Sequence, residues 1–154
     1  MGRMLRYWWG ERSRCRITTP QGERILLSVP LCKHTDGEIS YMHSWQHQHW
    51  MALVSAYGKT PYFDFYRPYI EPVYQQKYKH IDELNAHTEY LIRCFLSNQM
   101  PQRGSWEELG EFGMVERSSE EFGMGWKGLE WDEEEPFLDG LFEYGPEMVL
   151  RMSK

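Results

Sequence analysis

Three histidines lie close together in the first third of the chain and are the first candidates for acid–base chemistry: His43, His47 and His49. The imidazole side chain titrates closest to neutral pH, so we predict that His47 or His49 serves as the catalytic base. On a helix these two side chains point about 200° apart, and no Cys or acid at suitable spacing completes a ligand set, so we predict no metal site. A packing or capping role for the histidines is the alternative interpretation.

Arginines near the N-terminus form a second candidate site. Arg12, Arg14 and Arg16 alternate with other residues, so on a strand they would share one face at spacings of about 7 Å. Guanidinium groups bind phosphate and carboxylate in a bidentate manner, and we predict that Arg12 and Arg14 bind substrate. A solvated outer face, or pairing with the chain's own acids, is the alternative. Cys15 would point inward, which favours core packing over a nucleophilic role.

The distribution of charge and apolar residues limits the classes of partner and location. The formal net charge is −6, yet residues 1–34 hold seven basic and two acidic residues, whereas residues 105–147 hold two basic and fourteen acidic residues. A basic field over the whole surface is absent, so we predict no nucleic-acid partner. No apolar run reaches the roughly 20 residues of a membrane span. The three cysteines form no Cys-x-x-Cys pair, and we expect reduced thiols and a cytoplasmic location.

The elements that must position these side chains follow from hydrophobic periodicity. Residues 14–19 and 23–31 alternate in polarity on either side of a Pro20–Gly22 turn, which predicts a β-hairpin. Ser44 as N-cap and Gly58 as C-terminal stop bound a predicted helix over 45–57. A strongly amphipathic helix is predicted from about Ile81 to Ser97.

Weaker patterns complete the predicted domain. Pro68 is placed in the first turn of a helix, and a short helix closes the chain from about Pro146. The acidic segment 105–135 is predicted to be irregular. We therefore predict one α+β domain over residues 1–154, with a small hairpin-based sheet covered by three or four helices. An α/β fold with a parallel core is the alternative.

Three blocks of sequence resemble the WbqC-like family. Arg12–Ile17 with Leu27–Leu31 is similar to the family's hairpin, and Trp45–Trp50 with Ser55–Phe63 resembles its central segment. Phe137–Phe142 with Gly145–Glu147 resembles its C-terminal end. Family members usually open with a strand and loop of the Gln-Pro-x-x-x-x-Pro type and then a helix, whereas few residues precede Arg12 here. The resemblance therefore implies an N-terminally short member.

The resemblance also implies a function. The family is associated with bacterial surface-polysaccharide and O-antigen gene clusters, which implies a cytoplasmic protein acting on a nucleotide-linked sugar or its modification, with reaction and cofactor unknown. As a group transferase it would hold phosphate with the arginines, use a histidine as base, and line its pocket with Tyr57, Lys59 and Tyr62.

Two further expectations concern partners. The alternative to an enzyme is a non-catalytic binding or assembly protein, or an inactive truncated homologue, that docks through the acidic segment 105–135. A sheet without the family's opening strand would have an open edge, which offers a route to a homodimer.

Overall fold

The hairpin predicted near the N-terminus is the only sheet among the residues described by the computed structural model, which are 7–9, 12–97, 99, 101 and 136–151. Strand β1 spans Arg14–Thr18 and strand β2 spans Arg24–Ser28, and the two pair antiparallel. Gly22 takes a φ of 86° in the turn, a conformation that glycine adopts without steric cost. Cys15 and Ile17 are buried, as the alternation predicts.

Helices make up most of the remaining described structure. The α-helices are α1 (Trp45–Tyr57), α2 (Phe63–Ile70), α3 (Ile81–Leu96) and α4 (Phe137–Tyr144). One- to two-turn 3-10 helices span Tyr7–Trp9, Glu71–Tyr74 and Gly145–Arg151. The predicted α+β architecture, with a hairpin-based sheet and four covering helices, is confirmed. The acidic segment 105–135 lies outside the described residues.

Helix α1 has the predicted bounds, but its caps work differently. Ser44 occupies the N-cap position in a left-handed conformation (φ 54°, ψ 37°), and its side chain makes no capping hydrogen bond. Gly58 is the C-cap, as predicted, and it ends the helix with a φ of −58° and not in the left-handed conformation. Trp50, Leu53 and Tyr57 are buried on the face that the 3.6-residue period indicates.

The prediction for Pro68 was wrong. Helix α2 begins at Phe63, so Pro68 lies in its interior and not in its first turn. Burial of two aromatic residues explains why the helix forms despite the proline: Phe63 stacks on Trp50 at 5.8 Å between ring centroids, and the Tyr66 ring lies 4.2 Å from that of Phe95. Such packing outweighs local propensity. The chain then tightens into the 3-10 helix Glu71–Tyr74.

Helix α3 is the central element of the core. His80 caps it, because the His80 Nδ1 atom accepts a hydrogen bond from Asp82 N at 3.1 Å and Glu83 accepts one from His80 N at 3.0 Å. This is a capping box with histidine in place of the usual Ser or Thr. Most residues of α3 are buried, because the three 3-10 helices pack against it and Phe95 packs on Tyr66 and Tyr69 of α2.

Candidate functional site

The outer face of the hairpin carries three arginines. The register pairs Arg14 with Ser28, Arg16 with Leu26 and Thr18 with Arg24, and cross-strand partners share a face. Arg16 therefore lies about 7 Å from Arg14 along β1 and about 7–8 Å from Arg24 on the diagonal. We call Arg14, Arg16 and Arg24 the arginine row. It is a concentration of guanidinium groups suited to an anion that carries more than one negative charge.

Arg12, predicted to share that face, lies apart from the arginine row. Its guanidinium donates to the carbonyl oxygen of Asp36 at 3.0 Å and lies 3.5 Å from the carboxylate of Asp82 at the start of α3. The carbonyl oxygen of Arg12 accepts a hydrogen bond from Asn85. The strand alternation begins only at Arg14, so it does not extend to Arg12. Substrate binding by Arg12 stays a prediction.

His49 and His47, the predicted bases, face opposite sides of α1. His47 is exposed, whereas His49 is 4% exposed and lies 3.0 Å from the hydroxyl of Tyr7 through Nδ1 and 3.1 Å from the carbonyl oxygen of Ser28 through Nε2. Burial lowers the pKa of His49 to about 4, and the Ser28 carbonyl opposes this only in part. His49 is therefore a neutral, internally bonded side chain at neutral pH. No group of three His, Cys, Asp or Glu side chains suited to a metal occurs among the described residues.

Tyr57 lies at the other end of α1 and forms a closed set of hydrogen bonds. Its hydroxyl donates to Asp139 Oδ1 at 2.5 Å, the Thr18 hydroxyl donates to Asp139 Oδ2 at 2.6 Å, and the Thr18 N–H donates to the Tyr57 oxygen at 3.2 Å. Burial, with the hydrogen bond and the charge of Asp139, raises the pKa of Tyr57. Tyr57 therefore keeps its proton and acts as a donor. We call Tyr57 and Asp139 the tyrosine–aspartate pair.

His49 and Tyr57 both satisfy backbone groups at the edges of the hairpin. Val29 N–H bonds to Ser13 O and Thr19 N–H bonds to Glu23 O, so Ser28 O and Thr18 N–H point away from the partner strand. His49 Nε2 bonds to Ser28 O, and the Tyr57 hydroxyl oxygen accepts a hydrogen bond from Thr18 N–H. Unpaired edge groups of this kind favour association with another strand. Helix α1 thus provides a hydrogen-bond partner for one backbone group on each edge of the hairpin. The predicted homodimer through an open edge stays a prediction.

The predicted pocket residues gather at the Tyr57 end. Lys59 is exposed just after α1, and the half-buried Tyr62 donates its backbone N–H to Phe142 O at 3.0 Å. His49 precedes Tyr57 by eight residues, which separates them by about 12 Å along the helix axis. Tyr57 and Tyr62 both contact Phe142 of α4, whereas His49 lies elsewhere, and a pocket lined by Tyr57, Lys59 and Tyr62 stays a prediction.

Sequence reasoning missed Asp139 and Arg24 as site residues. Asp139 is separated by 82 positions from Tyr57 and by 121 from Thr18, so no local pattern could connect it to them. Arg24 could have been found, because a hairpin with its turn at Gly22 places Arg24 opposite Thr18. Cys15 is fully buried, as its inward orientation predicted, and burial raises its pKa.

These features define a small α+β protein with an arginine-bearing hairpin packed on helices and a tyrosine–aspartate pair at the hairpin's edge. The chain belongs to the WbqC-like protein family, whose sequence model matches residues 8–107. The match includes the hairpin and helices α1 to α3, whereas α4 and Asp139 follow it. No curated protein and no solved structure matches the chain. In the described part of the chain, no helix is long and apolar enough to cross a membrane.

Proposed function

We propose that this protein acts on a nucleotide-linked sugar, or on the modification of one, in bacterial surface-polysaccharide biosynthesis. Membership of the WbqC-like family supports the biosynthetic setting, because that family is associated with polysaccharide and O-antigen gene clusters. The observation that carries the proposal is the cross-strand pair Thr18–Arg24. This pair links Arg24 of the arginine row to Thr18, whose hydroxyl donates to the Asp139 carboxylate.

The arginine row supplies the phosphate-binding part of the proposed site. A nucleotide-linked sugar carries one or two phosphates between its base and its sugar, and guanidinium forks match phosphate oxygens in geometry and charge. Arg14 and Arg24 are exposed, and Arg16 between them is half-buried. Lys59, exposed after α1, adds a further cation toward the Tyr57 end of the hairpin.

The tyrosine–aspartate pair supplies the acid–base part of a group-transfer reaction. Asp139 is partly exposed and would accept the proton of the sugar hydroxyl or amine that receives the group. Tyr57 and Thr18 hold the carboxylate through both of its oxygens and so fix its orientation. This proposal assigns the base to Asp139 in preference to His49, because the His49 ring is buried and bonded through both nitrogens. His47 is exposed, and its role as base stays a prediction.

A second candidate function is a binding or assembly role without catalysis. It is favoured by the internal engagement of the polar atoms of His49 and Tyr57, which stabilise the edges of the hairpin. Such a protein would use the arginine row to dock an anionic partner. Docking driven by charge weakens steeply as the salt concentration rises.

A thermal-shift screen of the purified protein tests the first proposal. Sugars linked to uridine, guanosine, thymidine or cytidine phosphates are compared with free nucleotides and acyl-coenzyme A. A ligand at about 100 times its Kd stabilises the native state by about 2.7 kcal/mol, which corresponds to a rise in Tm of roughly 5–10 °C. Arg14→Ala should abolish the shift. Lys33→Ala removes an exposed cation in the loop after β2, and this variant should show the same thermal shift as the parent protein.

The outcomes separate the two functions. A shift with one class of sugar nucleotide that is lost in Arg14→Ala, together with turnover that is lost in Asp139→Asn, supports the enzyme. A shift without turnover supports the binding protein. The absence of a shift with every nucleotide-linked sugar would overturn the first proposal, as would a shift of equal size in the parent and in Arg14→Ala.

A further inference from the structure

The outer face of the hairpin carries an apolar side chain as well as the arginine row. Val29 bonds to Ser13 at one end of the ladder and Thr19 bonds to Glu23 at the other, so the odd-numbered residues form the hydrogen-bonded pairs. The even-numbered residues form the non-hydrogen-bonded pairs, in which cross-strand side chains lie closest. The pairs on the outer face are Arg14–Ser28, Arg16–Leu26 and Thr18–Arg24.

Leu26 lies in the middle of this face. Arg16 is directly opposite it, Arg24 is two residues away along β2 at about 7 Å, and Arg14 is on the diagonal at about 7–8 Å. Leu26 is 46% exposed although its side chain is large and apolar. All three arginines therefore adjoin an apolar side chain that remains partly in water.

Such a face suits an anion that also carries an apolar surface. Guanidinium groups bind phosphate oxygens, whereas Leu26 gains only from a group whose apolar surface leaves water on binding. Inorganic phosphate and sugar phosphates offer mainly charge and hydroxyl groups. A nucleoside phosphate offers both parts in one molecule, because its nucleobase has a flat π face.

The position of Asp139 sets the direction of the ligand on this face. Helix α4, which carries Asp139, packs on β1, and the Thr18 hydroxyl of β1 donates to Asp139 Oδ2 at 2.6 Å. With Asp139 as the proton acceptor, the reacting sugar lies on the β1 side of the hairpin. Leu26 belongs to β2, so the other end of a nucleotide-linked sugar, which is its nucleobase, falls on the side of Leu26.

We propose that Leu26 is the nucleobase contact of the arginine row and determines its preference for nucleoside phosphates over other phosphorylated ligands. The nucleobase packs on the Leu26 side chain, the arginines hold the phosphates, and the sugar extends toward Asp139. A leucine side chain packs on the face of any nucleobase, so this contact selects for a nucleobase and not for one particular base. This inference rests on the proposed function, which places the sugar, and it names the part of the ligand that β2 recognises.

NMR titration of the full chain with phosphate monoesters of equal charge tests the contact. The probes are the 5′-monophosphates of uridine, guanosine, thymidine and cytidine, ribose 5-phosphate, which lacks the nucleobase, and glucose 1-phosphate. In the parent protein, the tightest-binding nucleoside monophosphate should have a Kd about five- to tenfold below that of ribose 5-phosphate, because the nucleobase and about half of a leucine side chain leave water on binding. Leu26→Ser should remove this difference and leave the Kd of ribose 5-phosphate and of glucose 1-phosphate within about twofold of the parent values.

Two further variants separate the nucleobase contact from other effects. Met51→Ser is the matched control, because Met51 is 49% exposed and lies on α1, outside the hairpin. It should leave every Kd unchanged. Arg24→Ala should weaken nucleoside monophosphates and ribose 5-phosphate by the same factor, because it removes a phosphate-binding group and keeps the nucleobase contact.

Three results would overturn the proposal. If no nucleoside monophosphate binds more tightly than ribose 5-phosphate to the parent protein, the nucleobase makes no stabilising contact, and this result needs no variant. If the ratio of the two Kd values is the same in Leu26→Ser as in the parent, the nucleobase binds elsewhere. If Leu26→Ser weakens only glucose 1-phosphate, the sugar and not the nucleobase lies on β2.

Failure of the proposed function gives a different pattern. A preference for nucleoside monophosphates that depends on Leu26, in a protein that neither binds nor turns over any nucleotide-linked sugar, would keep the nucleobase contact and refute the proposed function. Binding and turnover of a nucleotide-linked sugar that Leu26→Ser leaves unchanged would keep the proposed function and refute the nucleobase contact.

Discussion

Tyr57 and Asp139 are joined by a hydrogen bond of 2.5 Å across 82 positions of sequence, and this bond links α1 to α4. Thr18 completes the arrangement from β1, with its hydroxyl on Asp139 and its N–H on the Tyr57 oxygen. The Tyr57 hydroxyl therefore donates a hydrogen bond to Asp139 in α4 and accepts one from the Thr18 N–H at the edge of β1. The stability of the hairpin and the geometry of the proposed site depend on the same atoms.

Removal of the Tyr57 hydroxyl should destabilise the protein. Tyr57→Phe leaves Thr18 N–H and Asp139 Oδ1 without their partner, and we expect the free energy of unfolding to fall by about 1–3 kcal/mol in chemical denaturation. Tyr62→Phe is the matched control, because the Tyr62 hydroxyl makes no hydrogen bond to the described residues. Its effect should stay within about 0.5 kcal/mol. Equal effects of the two variants would show that the Tyr57 hydroxyl does not stabilise the fold.

The hairpin, α1 and α3 could be predicted from sequence because their signals are local. Alternation in β1 and the 3.6-residue period in α3 report which face is buried. Helix α2 could not be placed in this way. Pro68 indicates a first turn by local rules, whereas the packing of Phe63 and Tyr66 on residues distant in sequence decides where the helix begins.

The candidate site was less predictable because its chemistry depends on burial and on long-range partners. Histidine as a residue type predicts titration near neutral pH, but only the fold shows that His49 is enclosed by Tyr7 and the backbone of β2. Arg12 was assigned to a strand face by alternation that begins only at Arg14. Asp139 lies in a segment noted for its family resemblance, yet nothing in its neighbourhood indicates a contact with Thr18 or Tyr57.

The buried histidines predict a loss of stability in mild acid. Burial lowers the pKa of His49 and His87 to about 4, whereas the unfolded chain titrates near 6.5. Between these pH values the unfolded chain binds more protons, so stability is complete above pH 6.5 and falls as the pH drops toward 4. Each histidine should cost about 3 kcal/mol by pH 4. Urea denaturation at pH 7.5, 6, 5 and 4.5 measures the curve.

Substitution separates the two contributions to that curve. His49→Gln and His87→Gln should each flatten the decline between pH 6.5 and 4.5, because neither amide titrates, and the double variant should flatten it further. Glu89 acts in the opposite direction, since burial raises its pKa in the folded state and its protonation at low pH therefore favours folding. If the free energy of unfolding falls between pH 6.5 and 4.5 as steeply in both single variants as in the parent, the acid sensitivity does not come from the His49 and His87 rings.

Gly145 should tolerate no side chain. It ends α4 with φ 58° and ψ −136°, and a Cβ there would lie 2.6 Å from ring atoms of Tyr62. We expect Gly145→Ala to lower the free energy of unfolding by at least about 2 kcal/mol, from backbone strain and from displacement of the ring. Gly22→Ala is the matched control, with φ of 86° and no atom within 4 Å of the added Cβ. Its cost should be limited to about 1–2 kcal/mol of backbone strain. Equal melting temperatures for Gly145→Ala and Gly22→Ala would show that the Tyr62 ring moves aside with no loss of free energy of unfolding.

The composition of the arginine row makes a final prediction about binding. Arg24 lies on the face of Arg14 and opposite Thr18, whereas the guanidinium of Arg12 contacts Asp36 O and the carboxylate of Asp82. Arg24→Ala should therefore reduce the thermal shift produced by a sugar nucleotide as strongly as Arg14→Ala does, and Arg12→Ala should leave it nearly unchanged. The Arg12 and Asp82 side chains are 39% and 72% exposed, so loss of their ion pair should change stability by no more than about 1 kcal/mol. A shift lost in Arg12→Ala and kept in Arg24→Ala would place the phosphate at the start of α3 and refute the arginine row as its site.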